Sequence, residues 1–147
     1  MTAGDAQRIE SPNAAESAWI ARNVELAASL ASRYGAGPGV VLDPAVLDRV
    51  VVGWVGDSSP QRPAPNDVCN AIGLAFGQWL VGRLEMKWAV VTDEHGTDIA
   101  VHSEPGSVLV FPTSAVAKRL SSKEVPFLRD LYDQMAADIA EVRREFQ

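Results

Sequence analysis

The sequence predicts an α+β domain: a small three-stranded antiparallel meander packed against helices, with N-terminal helices and a long C-terminal helix. Three observations carry this expectation. Hydrophobic residues recur with a period near 3.6 from Pro12 to about Leu84, with a period of 2 from Lys87 to Phe111, and with the helical period again to the end. Helices and strands therefore segregate along the chain and do not alternate, which separates this class from βαβ folds. The chain has 147 residues, 47% hydrophobic and 22% charged, the length and balance of one globular domain able to bury roughly two thirds of its unfolded surface without a metal or disulfide staple.

Residues 1–11 mix small, polar and charged types without period and are expected to form a disordered tail, leaving 12–147 as the single domain. Pro12 and Asn13 open the first helix, whose stripe runs through Ile20, Val24, Ala27, Ala31 and Tyr34 and is widened by Trp19, Leu26 and Leu30. The run Gly35-Ala-Gly-Pro-Gly39 ends it. Asp43 is a natural N-cap with Pro44 at the first helical position, and Leu47, Val50, Val51 and Trp54 follow with helical spacing. Val50-Val51-Val52 would also suit a strand. Residues 56–65 form a loop stiffened by three prolines. Asn66 or Asp67 then caps a third helix running to about Leu84, with Cys69, Ile72, Phe76, Trp79, Leu80 and Arg83 on one face. Gly73 and Gly77 share a face of this helix at about 1 kcal/mol each relative to Ala, which implies a second backbone packed closely against them.

The meander consists of Lys87–Thr92, a turn at Asp93-Glu-His-Gly96, the return strand Thr97–His102, a second turn at Ser103–Ser107, and Val108–Phe111. Pro112 stops the third strand, and Thr113 or Ser114 caps a short helix through Leu120. Ser121-Ser-Lys-Glu124 has capping-box spacing and is expected to open the last helix, with Leu128, Leu131, Met135, Ile139, Val142 and Phe146 as its apolar stripe.

Several of these residues fall in a familiar order. Gly73-Leu-Ala-Phe-Gly77, then Trp88, Thr92-Asp-Glu-His-Gly96, Asp98-Ile-Ala-Val101, Phe111-Pro112 and Lys118-Arg119 together resemble the bacterial domain of unknown function 3806 (DUF3806) over roughly Val68–Met135. That family shares a Gly-x-x-x-Gly helix, a Trp opening a strand, an Asp-Glu-x-Gly turn, an apolar strand and a Pro followed by Lys-Arg. The resemblance implies a fold and carries no catalytic residue with it.

Composition excludes several function classes. Thirteen Lys and Arg against 19 Asp and Glu give a net charge of −6, so sequence-independent nucleic-acid binding, which needs cations to neutralise phosphates, is not expected. The longest apolar run, Val50–Gly56, is too short to cross a bilayer, and the first nine residues lack the apolar core of a signal peptide. One cysteine, Cys69, permits no internal disulfide and suits a reducing cytoplasm. It is expected as a small core residue, because a nucleophile there would need a neighbouring His or a lowered pKa. No cofactor is indicated, since neither Gly35-x-Gly37-x-Gly39 nor Gly53-x-x-Gly56 has the flanks of a nucleotide loop.

Titratable groups concentrate on the meander. From Glu85 to Gly106 there are five acids and one base, a net −4, a field that would steer a basic protein partner toward the hairpin. Asp93, Glu94, His95 and Asp98 are the candidate protein-binding residues. His95 and His102 invite a metal or general-base reading, but a hairpin tip and the far end of the returning strand stand up to ~20 Å apart at the strand rise, so no metal site is expected. Lys118 and Arg119 could hold a carboxylate or phosphate. The expected function is a non-catalytic cytoplasmic interaction module, monomeric or homodimeric. The alternative is a small-molecule or metal-dependent enzyme using the His95/Asp98/His102 side of the sheet or a Lys118/Arg119 anion site.

Overall fold

A computed structural model of the chain describes residues 7–147. Strand β1 (Arg8–Glu10) is followed by helices α1 (Ala14–Arg33), α2 (Pro44–Val55) and α3 (Pro65–Arg83). Strands β2 (Lys87–Asp93), β3 (Gly96–Ser103) and β4 (Val108–Val110) come next, then helices α4 (Pro112–Ser121) and α5 (Leu128–Glu145). The class is the expected α+β, with one more strand. The sheet is four-stranded and antiparallel in the order β1-β2-β3-β4, because Arg8–Glu10, inside the stretch read as a tail, pairs with Thr92–Val90 of β2. Three residues with one apolar side chain give no period of their own, so only the pairing makes them a strand. Residues 1–6 of that predicted tail lie outside the described residues.

Local chemistry starts the first two helices as expected. The Asn13 side chain accepts the Glu16 N–H at 2.8 Å, and the Glu16 carboxylate accepts the Asn13 N–H at 2.8 Å, a complete capping box. Asp43 accepts the Val46 N–H at 2.9 Å, with Pro44 in the first turn. Val50 and Val51 are fully buried on α2, and that packing overrides their strand preference. α3 begins at least two residues earlier than expected. Pro65 occupies the first turn and Ala64 the cap position, since the fixed φ of proline already suits a helix start. Asn66 and Asp67 therefore sit inside the helix.

The third helix is the centre of the molecule. Its middle, Ala71 to Gly77, is buried on every side, as α1, α4 and the sheet pack around it. Gly73 lets the α4 backbone approach as expected, whereas Gly77 makes room for the Trp88 side chain of β2. A Cβ on Gly73 would stand 2.6 Å from Thr113 Cα, and one on Gly77 would stand 2.5 Å from the Trp88 ring. Pro112 opens α4 where Thr113 or Ser114 was the expected cap.

The capping box expected at Ser121–Glu124 does not form. Those residues end α4: the Ser122 hydroxyl donates to the Lys118 carbonyl at 3.2 Å, and the Glu124 N–H donates to the Arg119 carbonyl at 3.0 Å. The start of α5 is held from α2. The Asp48 carboxylate, 8% exposed, accepts the backbone N–H groups of Phe127 at 2.9 Å, Leu128 at 2.6 Å and Arg129 at 3.1 Å. These are the donors a helix N-terminus leaves unsatisfied. At the other end, Arg143 donates to the Leu84 carbonyl and to Ser103 Oγ, tying α5 to the end of α3 and to β3. Phe146, expected in the buried stripe, follows the helix end and is 60% exposed.

A polar cluster ties α1 to the proline loop. Asp57 accepts from the Arg33 guanidinium at 2.9 Å, the Tyr34 hydroxyl at 2.8 Å and the Ser59 N–H at 2.9 Å. These donors, the Ser59 N–H foremost, hold the Asp57 carboxyl well below the usual carboxylate range. In the same loop Arg62 stacks 3.8 Å above Trp54, whose indole N–H donates to the Pro63 carbonyl at 2.8 Å. The loop thus packs on α2 as part of the domain.

Candidate functional site

Register and pleat divide the sheet into two faces. Paired residues share a face, so Trp88, Val90, Ile99, Val101 and Val110 lie together, and the Trp88 ring against Gly77 identifies this as the α3 side. The opposite face carries Ile9, Ala89, Val91, Ala100 and Leu109, with Asp93, Asp98 and His102 among them. Its acids gather at the hairpin end, its apolar residues toward the middle.

A cleft of about 330 Å³ lies at that boundary, lined by Val91, Asp93, His95, Thr97, Asp98 and Phe111, with Gly96 at the turn. Gly96 has a φ of +124°, which allows the tight reversal. Asp93 uses one carboxylate oxygen to accept the His95 N–H at 2.8 Å, and Asp98 uses one to accept the Ile99 N–H at 2.8 Å. The second oxygen of each has no partner among the described residues. Asp98 stands directly opposite Val91, which is buried, so the accessible apolar surface of the cleft comes from Phe111. β1 adds Arg8 and Glu10, one charge of each sign, and leaves the acidic balance of the meander unchanged.

Of the sequence-predicted residues, Asp93, His95 and Asp98 share the cleft and Glu94 flanks it. The imidazole of His95 stands 3.3 Å from Glu94, with both side chains largely exposed, a pair of little energetic consequence. His102 is elsewhere. It pairs with Lys87 in the register, four residues along the strand from Asp98, roughly 13 Å at the strand rise. Its Nε2 lies 3.2 Å from Glu104 and 3.1 Å from the Ser107 hydroxyl. His95, Asp98 and His102 are therefore not one constellation. Among the described residues no group of three His, Cys, Asp or Glu side chains is placed to hold a metal ion.

Lys118 and Arg119 sit in the last turn of α4, away from the hairpin cleft. Arg119 donates to the Ala115 carbonyl of its own helix at 3.4 Å. It lines a separate cleft of about 380 Å³ together with Glu124 and Asp130, two carboxylates that oppose an added anion. Lys118 does not line that cleft. Cys69 is half-buried, and burial pushes its thiol pKa up, away from the thiolate a nucleophile requires.

Helices backing one face of a short antiparallel sheet, with a cleft on the other face at the hairpin, define a small α+β domain. The family model of the domain of unknown function DUF3806 matches residues 53–132, more than half of the chain, and the chain belongs to that family. A crystal structure of a protein from Bacteroides thetaiotaomicron VPI-5482, at 1.50 Å resolution, has the same fold with a TM-score of 0.68 at 17% identity. The match covers 88% of this chain and 47% of that one, so this chain spans about half the length of its structural relative. No curated protein matches the sequence. Among the described residues no helix is long and apolar enough to cross a membrane.

Proposed function

We propose that this domain is a non-catalytic interaction module that binds a basic protein, the hairpin cleft accepting a lysine or arginine side chain of the partner. The observation that carries the reading is the half-buried Phe111 ring sharing one cleft with the free oxygens of Asp93 and Asp98. A long cationic side chain has the matching anatomy, an apolar stem and a charged head. Glu94 and the net −4 of the meander would add long-range steering, a contribution to association rate more than to affinity. The unpaired Cys69 suits the reducing cytoplasm in which such a module would work.

The test is a titration of the isotope-labelled protein with N-acetyl-lysine amide, followed by amide chemical shifts, with the uncharged norleucine analogue in parallel. Shifts confined to Val91, Asp93, Thr97, Asp98 and Phe111 and weakened by salt are expected for the lysine compound alone. Equal shifts with norleucine, or changes scattered over all exposed acids, would contradict the reading.

A further inference from the structure

A second cleft, independent of the hairpin, lies where three helices meet. It has a volume of about 390 Å³ and is lined by Asp43, Pro44 and Ala45 of the α2 start, Trp79 of α3, and Arg129, Tyr132 and Asp133 of α5. That volume is within the range of small-molecule sites. Its α2 and α5 walls are held together, since the buried Asp48 carboxylate fastens the first turn of α5 to α2 within the same junction. Trp79 and Tyr132 meet edge to face with ring centres 6.3 Å apart, and Arg83 stacks 5.2 Å from the Trp79 ring.

One feature at this junction is unexplained by folding. The indole N–H of Trp79 is the one buried side-chain nitrogen or oxygen among the described residues without a hydrogen-bond partner. Trp54 and Trp88, by contrast, donate to Pro63 O and Gln78 Oε1. A buried donor left unpaired is disfavoured, and such exceptions call for a physical reason. The cleft also carries charge. Arg129 and Asp133 stand one turn apart on α5, the spacing at which opposite charges on a helix pair, yet the side chains form no ion pair with each other or with another described residue. Asp43 accepts the Val46 N–H through one oxygen only.

We infer that the α2–α3–α5 cleft binds a small zwitterion with an apolar side chain, of the free α-amino acid class. The ligand carboxylate takes the Trp79 N–H and the Arg129 guanidinium, and its ammonium faces Asp133 and Asp43. Its side chain packs on Pro44 and the Tyr132 ring, where aromatic edges favour another aromatic group. The Trp79 nitrogen exposes no surface in this conformation, so binding turns the indole against Tyr132 and alters the Trp79 fluorescence. This inference does not rest on the hairpin reading.

The probe is L-phenylalanine, with N-acetyl-phenylalanine lacking the ammonium and phenylalaninamide lacking the carboxylate, added to the full-length protein. Binding is read by saturation-transfer NMR and by tryptophan fluorescence. L-Phenylalanine is expected to bind at millimolar concentration or below, each blocked derivative about tenfold more weakly, and Trp79→Phe to abolish the fluorescence response. Trp79→Phe also removes the unpaired donor, so the free variant is expected to melt no lower than the parent. Should that variant fold poorly, Arg129→Gln at an exposed position carries the test with the same tenfold loss. Absence of saturation transfer with L-phenylalanine, equal binding of the blocked derivatives, or undiminished binding by Arg129→Gln would each overturn the inference. Asp93→Lys with Asp98→Lys is expected to leave phenylalanine binding unchanged, which separates this site from the hairpin.

Discussion

The first turn of α5 and the tip of the β2–β3 hairpin solve the same problem in different ways. Each is a chain reversal or helix start with backbone N–H groups to satisfy, and each uses an aspartate. At the hairpin Asp93 serves the amide two residues ahead and keeps an oxygen free at an exposed position. At α5 the carboxylate comes from Asp48, 79 to 81 residues away, is buried, and has both oxygens occupied by three N–H donors. Low local dielectric makes the buried arrangement stronger when complete and more damaging when one partner is removed. The comparison separates acids that hold the fold from acids that remain available to something else. It is the ground for placing function at Asp93 and Asp98 and not at Asp48.

That contrast sets the order of expected effects. Asp48→Ala strands three backbone donors, two of them buried, and is expected to lower stability by about 3 kcal/mol, measured by urea unfolding; a loss below about 1 kcal/mol would erase the distinction. Gly73→Ala presses a methyl group into the Thr113 backbone and is expected to cost about 2 kcal/mol. Gly82→Ala on the same helix meets nothing within 4 Å and is expected to stabilise by up to about 1 kcal/mol. Asp93→Ala, which removes one exposed turn contact, should change stability by only about 0.5 kcal/mol. If it matched Asp48→Ala, the hairpin acid would be structural and the contrast would collapse.

Asp57 gives a pH-dependent form of the same test. Its carboxyl is held below the ordinary value in the folded protein, so its contribution to stability is present in full above about pH 4 and is lost progressively as the pH falls below that. Asp57→Asn should therefore lower the melting temperature at pH 7, with the gap from the parent closing under acid. A gap that stays constant down to low pH would mean that the Arg33–Tyr34–Asp57 cluster acts through shape alone.

Features written in nearest neighbours were legible from the sequence: the helix start at Pro12-Asn13, the Asp43-Pro44 start, the Asp93–Gly96 turn, and the close approach implied by Gly73 and Gly77. What was missed depends on distant pairing. β1 exists because β2 offers it an edge, and Ser121–Glu124 have capping-box spacing yet are used to finish α4. Nothing around Asp48 signals that it caps a helix beginning at Leu128, since the signal lies in the fold that brings α2 beside α5. The hairpin acids were legible as a group. The distance of His102 from the hairpin tip was legible as well; that Asp98 stands opposite Val91 was not, because only the register shows it. The Trp79 cleft was hidden for the same reason, its walls coming from three separated segments.

The most direct test of the interaction reading is affinity capture from the native lysate with two baits in parallel, the parent protein and Asp93→Lys/Glu94→Lys/Asp98→Lys, each washed at low and at high salt. A basic protein retained stoichiometrically by the parent at low salt, released at high salt and absent from the charge-reversed bait is the expected result. A partner held equally by both baits, or no protein retained by the parent at either salt, would contradict it.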